Sequence, residues 1–321
     1  MASTSAATIK LDGVEKVYST GTRAVSPLDL DIPAGELVSL VGPSGCGKST
    51  VLRMVNRLLN PTAGRIHIDG EDITTAEPVA LRRHIGYVIQ HVGLFPHQTI
   101  AANVATVPKL LGWQKTRIKD RVAELLHLMG LDADEHGDRY PHQLSGGQRQ
   151  RVGVARALAA DPKVLLMDEP FSAVDPIARG RLQEEFLRLQ QDVGKTILFV
   201  THDVDEAIRL SDKIAVLSQH ATLEQFGSPA EILRNPRTDF VAEFVGTDRG
   251  VKSLSVTPVP RKGLRSVPPG EHPQVTAAAD LRLALSQLLD GDTGYVSITD
   301  DGRTLGALNA QDVYDALRKV A

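Results

Sequence analysis

The stretch LVSLVGPSGCGKST, residues 37–50, decides the fold. Its first five residues, Leu37–Val41, form an apolar run of the kind found in strands that are buried on both faces. Beyond the run, apolar side chains recur at helical spacing in Thr50–Leu59. Between them lies the pattern G-x-x-x-x-G-K-[ST], which requires a strand before it and a helix after it. The stretch therefore predicts a phosphate-binding loop in an α/β protein with a parallel sheet.

The residue types in this loop suit phosphate groups. Glycines let backbone N–H groups curl around an anion, and the helix N-terminus adds the positive end of its dipole. Lys48 is expected to reach the β- and γ-phosphates, and the Ser49 hydroxyl to ligate Mg²⁺. Cys46 is interpreted as a small loop residue. The predicted nucleotide-binding residues here are Gly42, Pro43, Ser44, Gly45, Cys46, Gly47, Lys48, Ser49 and Thr50.

An acidic pair, Asp168 and Glu169, follows the apolar run Val164–Met167. The carboxyl ends of parallel strands are where α/β proteins bind their ligands. Asp168 is expected to hold Mg²⁺ through water, and Glu169 to act as general base on the attacking water. The alternative is a solvated turn, and the phosphate-binding loop earlier in the chain favours the functional interpretation.

Composition narrows the class of protein. The 321 residues suggest about two domains. A net charge of −3 and 4% aromatic residues argue against a protein that coats nucleic acid. No apolar run approaches the roughly 18 residues of a membrane span, and we expect no signal peptide at the polar N-terminus. One cysteine excludes an internal disulfide and favours a reducing cytoplasm.

The organisation along the chain changes after residue 250. Before it, apolar strands such as Thr196–Val200 and Lys213–Leu217 alternate with amphipathic helices such as Gln114–Met129, whereas Thr8–Ile32 and Arg65–Asp69 alternate apolar and polar residues as in a smaller antiparallel sheet. Five of the 18 prolines lie in residues 251–273, which predicts a linker that cannot pack as a helix or central strand. The predicted domains are residues 8–250, that linker, and a β-α-β-β-α unit over 274–321.

A third motif, Leu144-Ser145-Gly146-Gly147-Gln148, precedes a predicted helix over Arg149–Ala160. Ser145, Gly146, Gly147 and Gln148 could form a second anion-binding nest at a helix start. Such a turn is common by itself, but behind a phosphate-binding loop and before an acidic strand end it is highly specific. Here the chain resembles the ATP-binding cassette (ABC) family over about residues 8–250. The implied fold is a P-loop NTPase cassette with a parallel core sheet, a small antiparallel β-subdomain and a helical subdomain.

The resemblance assigns further roles. It implies that Gln90 contacts Mg²⁺ and the attacking water, that His202 contacts the γ-phosphate, and that Tyr18 stacks on adenine. Asp175 ends a stretch, Ser172-Ala173-Val174-Asp175, that matches the family's D-loop. It further implies that the LSGGQ signature of one copy closes over ATP held by a second copy, head to tail. A dimer would thus enclose two ATP molecules with Mg²⁺.

Several classes of cassette protein share these motifs. Repair ATPases carry a long coiled coil before the signature, and ribosome-associated proteins usually carry two cassettes, so an importer ATPase with separate permease and binding-protein chains fits best. Residues 86–113 and 239–255 resemble the quaternary-amine (osmoprotectant) importer ATPases. A methionine-type amino-acid importer is the alternative, and a ribosome-associated ATPase a more remote one. The expected location is peripheral, at the cytoplasmic face of the membrane, without nucleic acid.

The resemblance also suggests partners and regulation. Residues 274–321 resemble one cystathionine-β-synthase (CBS) type unit, with Asn309 where the ligand loop has Thr and Asp312 as a ribose-contact candidate. We expect this unit to regulate and to dimerise through an uncovered apolar face; a stabilising appendage is the alternative. The permease is expected to dock between Gln90 and Leu144. The predicted docking residues are Leu94, Phe95 and Ile100, and the predicted uncovered face is Leu281, Leu285, Leu288 and Val296.

Overall fold

The computed structural model describes residues 6–90, 93–172 and 174–319. Ala173 of the predicted D-loop, His91 and Val92 of the segment 86–113, and the last two residues lie outside this range. The strands are β1 Ile9–Val17, β2 Arg23–Ile32, β3 Leu37–Val41, β4 Ala63–Ile68, β5 Glu71–Asp72, β6 Ile85–Val88, β7 Val164–Asp168, β8 Thr196–Val200, β9 Lys213–Leu217, β10 Leu223–Gly227, β11 Gln274–Thr276, β12 Val296–Asp300 and β13 Arg303–Leu308. The α-helices are α1 Lys48–Val55, α2 Pro78–Arg82, α3 Ile100–Val104, α4 Thr106–Leu110, α5 Lys115–Leu128, α6 Ala133–His136, α7 Gly146–Leu158, α8 Pro176–Val193, α9 Val204–Leu210, α10 Pro229–Arg234, α11 Asp239–Val245, α12 Arg249–Lys252, α13 Leu281–Asp290 and α14 Ala310–Lys319.

The largest sheet has the strand order β10-β9-β3-β8-β7-β6. Strand β3 pairs in parallel with β8 and β9, and β7 pairs in parallel with β6 and β8. Every residue of β3, β7 and β8 is buried. The parallel core predicted from the apolar run in the opening stretch is therefore confirmed.

Two smaller layers accompany the largest sheet. The predicted antiparallel sheet is present, in the order β2-β1-β4-β5. Helices α3 to α6 pack with α7 around a buried cluster that includes Val104, Leu125, Leu126 and Val152. This is the expected division into core sheet, antiparallel sheet and helical part.

Packing divides the chain into two compact units. The first combines the chain up to Asp203 with Leu210–Glu224, and the second combines Val204–Arg209 with the chain from Gln225 onward. Residues 225–250, which the sequence assigned to the cassette, thus share their packing with the C-terminal unit. The predicted boundary at residue 250 stays a prediction.

The last part of the C-terminal unit, from residue 274 to residue 319, shows the expected β-α-β-β-α order. Strand β11 pairs in parallel with β12, and β12 pairs antiparallel with β13. The turn between β12 and β13 is Asp301-Gly302, and both residues have positive φ, 46° and 76°. A two-residue hairpin of this type needs left-handed backbone at both positions, which Asp-Gly supplies.

The Pro-rich segment 251–273 differs from the expected linker. It begins in α12 and a 3₁₀ turn, Ser253–Val256, and it buries Leu254 and Val259 in the core of the C-terminal unit. The Val259 N–H donates to the Ala279 carbonyl at 3.0 Å. Proline removes donors from a regular ladder, but an irregular segment can still pack through its other residues.

The predicted uncovered apolar face is also wrong. Leu281, Leu288 and Val296 are buried, and Leu285 is partly buried, because Leu254 and Val259 of the segment above pack in the same core. The large apolar side chains of this unit that remain exposed after residue 273 are Leu283, Leu289, Leu305 and Tyr314.

No helix within the described residues is both long enough and apolar enough to cross a bilayer. The buried residues of helix α5 are Ile118, Val122, Leu125 and Leu126, which recur at helical spacing and form one face.

Candidate active site

Four strands of the parallel sheet end at one edge. Asp168, the last residue of β7, is in register with Val200, the last residue of β8, and β3 ends alongside at Val41. The loops that follow these strands and β6 carry the phosphate-binding loop, Glu169, His202 and Gln90. The fold therefore brings the predicted catalytic residues to the ligand-binding edge of the sheet.

Close backbone contacts explain two of the loop glycines. A Cβ on Gly42 would lie 2.1 Å from the Leu217 carbonyl oxygen, and one on Gly47 would lie 2.5 Å from the Ala24 carbonyl oxygen. Gly47 also caps helix α1 with φ 116°, a left-handed conformation that favours glycine. Any side chain at either position would force the loop out of shape.

Helix α1 begins at Lys48, two residues before the predicted start at Thr50. The Lys48 side chain is 5% exposed, and its Nζ donates to the carbonyl oxygens of Gly42 at 2.7 Å and Pro43 at 2.9 Å. The ammonium group also lies 3.7 Å from the Cys46 Sγ, which is itself buried. The loop thus closes around the cation that is expected to bind phosphate.

Ser49 and Asp168 are joined across the sheet edge. The Ser49 Oγ donates to the Asp168 Oδ1 at 2.8 Å. Burial raises the pKa of Asp168, although the bond from Ser49 and the charge of Arg53 act in the opposite direction. A hydroxyl beside a carboxylate suits Mg²⁺, which takes one or two protein oxygens together with phosphate and water. The described residues contain no group of three or more His, Cys, Asp or Glu side chains that could form a closed metal cage.

Glu169 is held between two other predicted residues. Its Oε2 accepts a hydrogen bond from the Gln90 Nε2 at 3.0 Å and lies 3.3 Å from the His202 Nδ1. Its φ is +45°, a left-handed conformation that costs a residue with a Cβ about 1–2 kcal/mol. The Glu169 N–H donates to the Val200 carbonyl at 2.9 Å. The side chain is 19% exposed, so the carboxylate is reachable from the edge while its backbone is fixed.

The signature motif lies at the start of helix α7, which begins earlier in the chain than predicted. Ser145 caps α7: its Oγ accepts from the Gln148 N–H at 3.2 Å, and the Gln148 Oε1 accepts from the Ser145 N–H at 2.9 Å. This capping box starts the helix at Gly146 rather than Arg149. The spacing of Ser145 and Gln148 was the available sequence signal.

The remaining predicted residues are Tyr18, Asp175 and the signature residues Ser145–Gln148. Within the part of the chain that the structure describes, no hydrogen bond or ion pair joins Ser145–Gln148 to the phosphate-binding loop. Tyr18 is 39% exposed, with the Lys16 Nζ 5.5 Å from its ring centroid, and Asp175 is exposed. The roles of Tyr18, Asp175 and Ser145–Gln148 stay predictions.

Sequence reasoning missed two neighbours of Asp168. Burial raises the pKa of Tyr87, as does the nearby Asp168 carboxylate, while the charge of Arg53 and a hydrogen bond from it act in the other direction. Arg53 lies four residues after Ser49, which places both on one face of α1. That spacing was the signal for Arg53; Tyr87, on β6, becomes a neighbour only through the pairing of β6 with β7.

The predicted docking residues differ in exposure. Phe95 is 39% exposed, but Ile100 is fully buried, so the expectation for Ile100 is wrong. The Ile100 N–H donates to the Arg139 carbonyl at 2.8 Å, and its side chain packs in the buried cluster around α7. The Asn103 side chain bonds both the N–H and the carbonyl of Phe95. A pocket of about 350 Å³ opens beside Phe95, and its lining includes Arg82, Arg83, Val107 and Arg156.

Comparisons with known proteins identify relatives of this chain. A family model described as "ABC transporter" matches residues 25–172. The glycine betaine/carnitine/choline transport ATP-binding protein of Bacillus subtilis is 56% identical over 76% of this chain and 64% of its own length. The choline transport ATP-binding protein of the same species is 47% identical over 98% of this chain and 81% of its own length.

A solved structure is similar to this chain in fold as well as in sequence. It is the dimeric post-hydrolysis state of an ATP-binding cassette bound to ADP and Pi. Its TM-score is 0.62 at 34% identity, over 69% of this chain and 98% of that chain.

Proposed function

The chain belongs to the ABC transporter family as an ATP-binding subunit, and on that premise we propose that it drives an importer of quaternary-amine osmoprotectants. Two relatives that share 56% and 47% of their aligned residues with it are named for glycine betaine, carnitine or choline transport. The observation that supports ATP hydrolysis is the Glu169 carboxylate, which contacts Gln90 and His202 at the edge that carries the phosphate-binding loop.

The proposed mechanism assigns one task to each group. Loop N–H groups and Lys48 bind the phosphates, and Glu169 takes a proton from the attacking water. His202 contacts the γ-phosphate, and Tyr18 stacks on adenine. Ser49 and Asp168, with Gln90, would hold Mg²⁺, which when bound neutralises charge on the phosphate oxygens.

The working form is proposed to be a head-to-tail dimer of two copies. Two observations support it. Among the described residues, Ser145–Gln148 make no hydrogen bond or ion pair with the phosphate-binding loop of the same chain. The solved cassette that is similar to this chain is a dimer with ADP and Pi. In the dimer, Ser145–Gln148 and Asp175 of one copy would complete the nucleotide site of the other.

We also propose that a separate permease docks beside Phe95, which places the subunit at the cytoplasmic face of the membrane. An exposed aromatic ring next to a pocket is a surface that a free chain gains little by displaying. Phe95→Asp should preserve ATP binding and uncouple transport in reconstituted vesicles. Val267→Asp is the matched control, because Val267 is 39% exposed like Phe95 and lies outside the segment from Gln90 to Leu144. Unchanged transport by Phe95→Asp would contradict this docking surface.

The substrate class is tested by uptake. The subunit would be expressed with its permease and extracytoplasmic binding protein in a host that lacks its own osmoprotectant uptake. Labelled glycine betaine or choline should accumulate in these cells, and not in cells that carry the Glu169→Gln variant. Uptake of methionine without either amine would support the alternative amino-acid importer.

A further inference from the structure

Ser172 makes two hydrogen bonds to the backbone of Glu169. Its N–H donates to the Glu169 carbonyl at 3.2 Å, and its Oγ donates to the same oxygen at 2.8 Å. On the other side, the Glu169 N–H donates to the Val200 carbonyl at 2.9 Å. Both polar backbone groups of Glu169 are therefore held, one by β8 and one by Ser172.

These bonds fix a residue in an unfavourable conformation. Glu169 has φ +45°, and left-handed backbone persists in a residue with a Cβ only where its surroundings hold it. The backbone angle decides where the side chain leaves the chain, and in this conformation Oε2 lies within 3.0 Å of the Gln90 Nε2. If the carbonyl of Glu169 turned, the carboxylate would leave that contact.

We propose that the Ser172 hydroxyl is a positioning group for ATP hydrolysis, which holds Glu169 in the left-handed conformation that aims its carboxylate at the attacking water. Ser172 itself touches no nucleotide in this role; it acts through Glu169. The proposal rests on the role of Glu169 as general base proposed above.

The first test separates binding from turnover. Ser172→Ala removes the hydroxyl bond but leaves the N–H bond, so kcat should fall by about three- to tenfold, the value of one ordinary hydrogen bond. The KM for ATP should change less than about twofold, because no group that binds nucleotide is altered. Ser172→Thr, which keeps a hydroxyl, should restore turnover. Ser286→Ala, at an exposed serine of α13, is the matched control and should leave kcat unchanged.

A double-mutant cycle tests whether Ser172 acts through Glu169. In the Glu169→Gln background there is no base left to position, so adding Ser172→Ala should not lower the residual single-turnover rate further. A residue that only supports the fold, or that contacts the second copy, would lower the rate by the same factor in both backgrounds. ATP-dependent dimerisation of the two Glu169→Gln proteins, measured by size-exclusion chromatography, should be equal.

Two results would overturn the proposal while leaving the ATPase intact: normal kcat in Ser172→Ala, or loss of the ATP-dependent dimer when Ser172→Ala is added to Glu169→Gln. Near-normal turnover of Glu169→Gln alone would instead remove Glu169 from its role, and the proposal for Ser172 would fail with it. The two failures are thus distinguishable.

Discussion

Asp168 in the first unit and Asp312 in the second are both carboxylates beside a strand end, but their surroundings differ. Asp168 is 5% exposed, and burial raises the pKa of its carboxyl. The Asp312 Oδ2 accepts from the Arg265 Nε at 2.7 Å and from the Asn309 N–H at 3.0 Å. That hydrogen bond from Arg265, together with the Asp312 charge, raises the pKa of Arg265. One carboxylate is held where its charge is unfavourable, and the other is matched by a cation.

The difference indicates a ligand-binding edge at Asp168 and a structural ion pair at Asp312. A charge kept at a cost in a buried position is what a binding or catalytic edge requires. A charge matched by a neighbouring cation holds a chain segment, here the stretch around Arg265, which also pairs with Ala307. The Asp312 carboxylate, predicted as a ribose contact, is thus occupied by Arg265 in this structure. Substitutions at the sheet edge around Asp168 should alter ATP turnover. Substitutions around Asp312 should alter the stability or the regulatory behaviour of the C-terminal unit.

The largest effect is expected at Glu169. Glu169→Gln keeps the shape of the side chain but removes the base, so ATP turnover should fall by roughly 10² or more. ATP binding should remain, and a stable ATP-bound dimer should accumulate, visible by size-exclusion chromatography with Mg²⁺ and ATP. Turnover close to that of the wild type would show that another group activates the water.

Asp168→Asn should separate activity from stability. Loss of the carboxylate should lower turnover by at least about tenfold by weakening Mg²⁺ binding. The same change removes a buried charge while an amide oxygen remains for the Ser49 hydroxyl, so the free protein should melt higher. A gain of roughly 1 kcal/mol corresponds to about 2–4 °C for a unit of this size.

The pH dependence of this gain has a defined sign. Because the folded-state pKa of Asp168 is raised, the folded chain binds this proton more tightly than the unfolded chain. The cost is therefore full above the folded-state pKa and disappears below the ordinary carboxyl pKa of about 4. The difference in melting temperature between Asp168→Asn and wild type should be largest near pH 7 and shrink on acidification. A lower melting temperature for the variant at pH 7 would show that the carboxylate stabilises the fold.

The catalytic edge could be predicted from sequence because each motif follows its own strand. The strand Leu37–Val41 and the acidic pair after β7 lie where the patterns placed them. What local patterns could not give is the conformation of Glu169, whose left-handed backbone depends on bonds to Val200 and Ser172. The contact of Tyr87 with Arg53 likewise depends on neighbouring strands and helices.

The C-terminal unit was predicted less completely, for a different physical reason. The order of its strands and helices follows from local periodicity. Whether an isolated apolar residue is buried depends instead on residues that are distant in the sequence. Leu254 and Val259 lie in a Pro-rich stretch that resembles a linker, yet they fill the core that covers Leu281. Ile100 was mistaken for an exposed residue in the same way, because its buried neighbours Leu126 and Val152 are distant in the sequence.

A core substitution in the C-terminal unit should leave the catalytic edge intact. Ile298 is fully buried among Leu281, Leu308 and Val313. Ile298→Ala should destabilise this unit by about 2–5 kcal/mol and speed its proteolysis and amide exchange. Basal ATP turnover should stay within about twofold of wild type. Leu289→Ala, at a side chain 78% exposed, is the control and should change neither property. A loss of turnover that parallels the loss of stability would show that the two units do not act separately.

The smallest effect on basal turnover is expected at Asp312, where the experiment distinguishes regulation from support. Asp312→Asn keeps the side-chain shape but loses the charge that pairs with Arg265. Asp300→Asn is the matched control, because Asp300 pairs with Arg261 at 3.1 Å in the same unit. The arginine of each pair is exposed, at 49% for Arg265 and 60% for Arg261, and ion pairs open to solvent contribute little to stability and are screened by salt, so both variants should fold and hydrolyse ATP as the wild type does.

The two variants should differ in how transport responds to conditions. If the C-terminal unit regulates transport through the Asp312–Arg265 ion pair, the activation or inhibition of uptake by salt or added nucleotide should change in Asp312→Asn. It should stay unchanged in Asp300→Asn. Uptake by reconstituted full-length subunits across a salt series measures this directly. Point substitution is preferable to truncation after residue 272, because truncation would leave Leu254 and Val259 without the core they pack in. An unchanged response in both variants would make the unit a stabilising appendage, and Asp312 would then differ from Asp168 in having no role beyond holding the chain.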